Sequence, residues 1–389
     1  MLKITDIHAR KILNSRGEWT IEVRVELENE YRGTISMPHG VSAGSFEAHS
    51  VDAEQAVTKI NNDIRGVLKG FDGEMYEELD AVLIDLDGTS QKSNLGSNSI
   101  LGVSLACAKA VSRARKIAFW KYLRELYGIA VPDGHNMRLM MNFIEGGVHA
   151  GSDLGFQEYL VIPKGKNIED SIAKGTRLYN SLKKYLLEHV GRNSINVGDE
   201  GGFALQTSDN KEPFSVINKV ADNEGMLAEI EMGVDVAANN VNMDVRELTS
   251  IYKEITDEFS VTYIEDPFSE DDFTNFSALT KKVGERVMIA GDDLTTTNPV
   301  RMDVAHRVMS INAIIIKPDQ IGSLSEALRA VHMARGWNWQ VIASHRGGET
   351  NDDFIVDFAY AIGADGIKIG GPARGERIAK YNRLLEISK

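Results

Sequence analysis

Six short apolar runs in the second half of the chain each end in a residue that could do chemistry. The terminal residues are Asp235, Glu265, Asp292, Lys317, His345 and Lys368, spaced by 30, 27, 25, 28 and 23 residues. Three are carboxylates, with no cysteine and no pair of histidines beside them, which makes a hard, all-oxygen site. Such a donor set selects Mg²⁺ or Mn²⁺ over zinc. The other three supply ammonium and imidazole groups. A lysine placed beside a divalent metal is expected to have a depressed pKa and to serve as a neutral base. Metal and lysine base together suit removal of a weakly acidic proton next to a carboxylate. Any one of these residues alone reads as a solvated loop charge; six in phase do not.

These side chains have to be brought to one place. Each interval is the length of a strand, a loop and a helix, so the runs predict successive β/α units. No Gly-rich dinucleotide turn opens the series. A parallel β/α barrel is therefore expected rather than a doubly wound sheet, with the terminal residues converging at the carboxyl ends of its strands. The first third of the chain reads differently. Thr20 to Glu28 alternates Ile21, Val23, Val25 and Leu27 with charged residues, and Lys3 to Leu13 and Tyr31 to Met37 flank it, so a small antiparallel sheet is expected. Val51 to Leu68, Glu74 to Leu86 and Ser97 to Tyr127 have helical spacing. Tyr127 to Gly134 reads as a linker. The expected fold is α/β, with an N-terminal α+β capping domain at residues 1–134 and a C-terminal β/α (TIM-like) barrel carrying the chemistry at 135–389.

Composition narrows the partners. The 389 residues carry a formal net charge of −14, which disfavours nucleic-acid binding. No run approaches the ~18 apolar residues of a membrane span, and Met1-Leu-Lys-Ile-Thr-Asp does not read as a signal peptide. A cytoplasmic protein with neither nucleic-acid nor membrane partners is expected. The single cysteine, Cys107, excludes an internal disulfide and a Cys-based zinc cage. It lies in an apolar run and reads as a buried thiol.

Three further clusters flank the strand ends: His149 to Glu158, Val197-Gly-Asp-Glu-Gly-Gly202, and Pro38 to Ser45, a loop that is either a surface linker or a lid. With these the sequence resembles the enolase family over nearly its whole length. The matching elements are Ser15-Arg-Gly, Gly40-Val-Ser-Ala-Gly, Ser99-Ile-Leu-Gly-Val-Ser-Leu-Ala, Gly146-Gly-Val-His-Ala-Gly, Phe156-Gln-Glu and Asn196-Val-Gly-Asp-Glu-Gly-Gly. They continue with Ile264-Glu-Asp-Pro-Phe, Gly291-Asp-Asp-Leu, Gln320-Ile-Gly-Ser-Leu, Ser344-His-Arg and Pro372-Ala-Arg-Gly-Glu-Arg.

The resemblance implies an enolase-type barrel with an antiparallel ββαα start, which spacing alone does not reveal. It implies a hydro-lyase of glycolysis and gluconeogenesis, interconverting 2-phosphoglycerate and phosphoenolpyruvate through a metal-stabilised enolate, with two Mg²⁺ per site. Asp235, Glu265 and Asp292 match the ligands of the first ion. Ser42 matches the loop residue that completes the second, substrate-linked ion. Lys317 matches the base at carbon 2, and Glu200 the acid that helps the carbon 3 hydroxyl leave, with Glu158 beside it. His149, Gln157 and His345 match substrate contacts, Arg346 a phosphate clamp and Lys368 a carboxylate partner. A homodimer or higher homo-oligomer is also implied, with Arg10 at a position used for it.

The sequence departs from the family at several places. Gly347 stands where a serine contacts phosphate, so a backbone N–H is left to donate. Glu145 replaces an asparagine, His39 and Ala43 alter the loop, and Glu18-Trp19 follow Ser-Arg-Gly. Two competing readings follow: a sister lyase acting on another 2-substituted carboxylate, and a non-catalytic binding protein on the same fold. Three carboxylates kept beside Lys317 argue against the second, because unpaired buried charge is costly.

Overall fold

Burial along the first strands follows the alternation of the sequence. In β2 (Trp19–Leu27) Ile21, Val23, Val25 and Leu27 are buried and Arg24 faces solvent. β2 pairs antiparallel with β1 (Ile4–Leu13) on one side and β3 (Arg32–Ser36) on the other. This computed structural model describes residues 2–40, 44–131 and 135–389, with the side chains of Asn29 and His149 outside the description. The sheet lies on the helix Ser97–Ala114, which is buried on almost every face. Contact is so close at Gly33 that a Cβ there would stand 1.9 Å from the Ala106 carbonyl oxygen.

The expected helical run 97–127 is two helices, Ser97–Ala114 and Phe119–Tyr127. Lys116 takes a left-handed conformation (φ 56) and the Ile117 N–H turns back to the Ser112 carbonyl at 3.0 Å, which ends the first helix. A glycine usually occupies such a position, so a lysine there left no sequence signal.

The rest of the chain forms a closed eight-stranded barrel. All six predicted runs are strands: β6 (Ile230–Asp235), β7 (Val261–Glu265), β8 (Met288–Gly291), β9 (Ala313–Ile316), β10 (Gln340–Ser344) and β11 (Gly366–Lys368). Asp235, Glu265 and Lys368 are the last residues of their strands; Asp292, Lys317 and His345 follow theirs by one. Spacing did not show β4 (Arg138–Glu145) or β5 (Glu158–Pro163). β5 runs antiparallel to both neighbours, so its first residue, Glu158, reaches the rim where the other strands end and pairs with Glu145 and Asp235. Met140, Leu160, Ile162, Tyr263, Met288, Ile315 and Ile342 fill the barrel interior. It is a packed core, so chemistry is confined to a rim.

The capping sheet meets that rim. Ser15 N–H donates to the Glu349 carbonyl at 2.7 Å, Ser36 N–H to Asp352 Oδ2 at 2.9 Å, and His39 pairs with Gly348. No described helix is long and apolar enough to cross a membrane.

Candidate active site

Most of the strand ends deliver a side chain into one polar cavity at the rim. Gln157, Glu158, Glu200, Asp235, Asp292, Lys317, His345, Arg346, Gly347 and Lys368 line it, joined by Ala237, Asp266, Asp293 and Ser344. Glu265 stands behind this wall. It is fully buried, and its Oε2 is held by the Tyr263 hydroxyl and by Lys368 Nζ at 2.7 Å. Ser42 lies outside the described residues, as does the side chain of His149.

The lysines organise the carboxylates. Lys368 Nζ lies 3.1 Å from Asp235 Oδ2 and 3.1 Å from Glu158 Oε1, in addition to Glu265. Lys317 donates to Asp292, whose second oxygen accepts from Gln320 Nε2 at 2.8 Å. Burial opposes the charge on both lysines, but the facing carboxylates outweigh it and hold both ammonium groups above their ordinary values. For Lys317 its partner Asp292 sets the direction.

Burial and the neighbouring Asp235 push Glu265 up to about 8, although Lys368 opposes them. Burial and Glu200 raise Glu158 well above the carboxylate range. On the other side of the cavity His345 Nε2 lies 3.2 Å from Glu200 Oε2. Both oxygens of the buried Glu145 accept the backbone N–H of Glu200, at 3.0 and 3.2 Å, and Oε2 accepts that of Gly202 at 2.9 Å, which fixes the loop carrying Glu200. Arg346 is buried between Glu47 (2.9 Å) and Asp319 (3.1 Å). The Gly347 carbonyl accepts from Arg377 at 2.8 Å.

Two family models match the chain: "Enolase, N-terminal domain" over residues 4–123 and "Enolase, C-terminal TIM barrel domain" over residues 137–389. The chain belongs to the enolase family. The Enolase of Methanocaldococcus jannaschii is 39% identical over 409 residues, covering 100% of this chain and 95% of that protein. The Enolase of Pyrococcus furiosus is 39% identical over 415 residues with the same coverage. The Enolase of Ehrlichia ruminantium (strain Welgevonden) is 38% identical over 413 residues, covering 100% of this chain and 96% of that protein.

Membership of the enolase family implies a divalent metal, and the residues present fit one. Buried Glu265 Oε1, Glu158 Oε2 and Gln157 Oε1 are acceptors with no hydrogen-bond partner among the described residues. A hard cation is what such oxygens take. Among the described residues, the acids whose oxygens all lie within 4.8 Å of one another are Asp266, Asp292 and Asp293, sharing only Asp292 with the predicted set. Asp266 already accepts the N–H groups of Asp292 (3.0 Å) and Asp293 (2.7 Å), so it braces that turn. Sequence reasoning also missed Glu47, Asp319 and Arg377. No strand end marks them, and only Arg377 fell within a quoted motif.

Proposed function

We propose that this chain catalyses the reversible dehydration of 2-phosphoglycerate to phosphoenolpyruvate. The observation that carries the reading is one cavity lined by Lys317, by strand-end carboxylates and by the Glu200–His345 pair, in an enolase-family barrel. Lys317 stands beyond β9, whereas Glu200 is held against β4 by Glu145, so base and acid come from different sectors of the ring. In this reading Lys317 takes the proton from carbon 2, and Glu200 gives a proton to the carbon 3 hydroxyl, which leaves as water. Lys368 and Gln157 orient the substrate carboxylate. Arg346 and the Gly347 backbone hold the phosphate, and His149, Glu158 and His345 complete the contacts.

Asp235, Glu265 and Asp292 would hold Mg²⁺, and Ser42 would serve a second, substrate-linked ion. A bound divalent cation supplies charge neutralisation for the substrate carboxylate, which acidifies the adjacent C–H. A homodimer or higher oligomer, a cytoplasmic location and a domain boundary between residues 134 and 135 belong to the same reading. The test is the absorbance rise of phosphoenolpyruvate formed from 2-phosphoglycerate, with and without Mg²⁺. No turnover in the presence of Mg²⁺ would overturn it, and sedimentation velocity decides the oligomer.

A further inference from the structure

Arg377, on the C-terminal helix Gly375–Ile387, is fully buried, and its guanidinium is divided among four acceptors. Nη1 lies 2.7 Å from His345 Nδ1 and 2.8 Å from the Arg346 carbonyl. Nη2 lies 3.1 Å from the Asp199 carbonyl and 2.8 Å from that of Gly347. A guanidinium only donates and stays charged, so the ring nitrogen facing it must accept and carries no proton. The single N–H of His345 is then on Nε2, which faces Glu200 Oε2 at 3.2 Å.

We propose that Arg377 is a positioning residue that holds His345 as the neutral Nε2–H tautomer, which donates to Glu200 Oε2 and so places the proton of the acid form on Oε1. The proposal rests on Glu200 being the acid, as argued above. The reverse polarity, with Glu200 donating to Nε2, would need a proton on Nδ1, where Arg377 leaves no room for one. The carbonyl oxygen is the stronger acceptor of a carboxyl group, so a donor facing Oε2 favours the hydroxyl on Oε1. The tautomer therefore selects which oxygen delivers the proton. It also removes His345 as a donor to the leaving group, since a neutral ring whose N–H is committed to Glu200 has none to give.

The charged groups facing the ring are Arg377 from the C-terminal helix, Glu200 from its loop and Glu349 from the segment after β10, itself paired with Lys380 at 2.8 Å. Burial, followed by the Arg377 guanidinium, pulls His345 down to about 4 against the two carboxylates. The ring thus stays neutral over the physiological range.

The test uses the full chain with ¹⁵N-labelled histidine, His345 being assigned by the loss of its signals in His345→Gln. A protonated-type Nε2 and a bare Nδ1, unchanged from about pH 5 to about pH 8, are expected. A proton on Nδ1, or titration near the ordinary ~6.5, would overturn the proposal. This reading needs no other variant to fold. Arg377→Met removes the donor without supplying another. It is expected to mix the tautomers, return the titration toward its ordinary range and lower kcat roughly 10–100-fold with little change in KM, the scale seen when the partner orienting a ligand is lost. Arg377→Lys should restore part of both. A fall in kcat with the His345 tautomer unmoved would make Arg377 merely structural and overturn its assignment. The expected tautomer in a chain that does not turn over 2-phosphoglycerate would support the hold on His345 and overturn the reaction instead.

Discussion

Lys317 and Asp292 form the pair on which the proposed proton removal turns. Asp292 holds the ammonium above its ordinary value, and a protonated lysine removes nothing. A cation shared by Asp292 would withdraw that support. Chelation is thus expected to cost the base as well as the metal, and turnover should vanish with a chelator and return with added Mg²⁺. By calorimetry, Asp235→Ala, Glu265→Ala and Asp292→Ala should each weaken Mg²⁺ binding; unchanged affinity in all three would refute the ligand assignment. The two halves of the reaction separate by variant. Lys317→Ala should stop exchange of the carbon 2 proton of 2-phosphoglycerate with deuterium, followed by NMR. Glu200→Gln should lower dehydration by ~10²–10⁴-fold while exchange continues, because the acid is lost and the base remains. Rapid exchange in Lys317→Ala would sink the base assignment.

At the scale of elements, the capping sheet and its central helix are set by one close approach. A Cβ at Gly33 would stand 1.9 Å from the Ala106 carbonyl oxygen and 2.5 Å from the Ala110 nitrogen. Both are backbone atoms within a helix, so neither can swing aside as a side-chain tip would. Gly33→Ala should push β3 off the helix Ser97–Ala114 and cost about 1–3 kcal/mol, the usual scale of overpacking. Urea unfolding followed by circular dichroism measures it, and stability equal to that of the parent would contradict the packing. The activity per folded molecule should hold, since Gly33 lies outside the cavity. The same scale explains what periodicity missed. β4 is buried along nearly its whole length and gives no alternation, and the acid of β5 stands at its start because the strand runs in reverse.

At the scale of the molecule, the cap is joined to the barrel through a buried acid. Asp80 of the helix Tyr76–Asp87 accepts the N–H of Ser325, at the start of the barrel helix Leu324–Gly336, at 2.8 Å, and is itself fully buried. Burial pushes Asp80 up to about 6 from an ordinary 3.8, against hydrogen bonds from Ser104 and Ser325. The native chain therefore keeps a proton that the unfolded chain has released. The resulting penalty is absent below 3.8, grows as pH rises through that window and is complete above about 6, where it reaches roughly 3 kcal/mol. Asp80→Asn should stabilise the protein at pH 8 by up to that amount, and the gain should fade toward about pH 4 in urea titrations. A variant less stable than the parent at pH 8 would refute the account. The sequence by itself determined the alternation of the cap, the strand–helix rhythm of the barrel and the polar residues that end its strands, because these are properties of short stretches of chain. It also carried the motifs by which the family is recognised. Only the tertiary structure decided the partners: Lys368 with Glu265, 103 residues apart, Glu145 with the loop of Glu200, and Arg377 with His345. Closure of the barrel creates those contacts. Which charges share one desolvated space depends on that closure, so no local pattern in the chain encodes it.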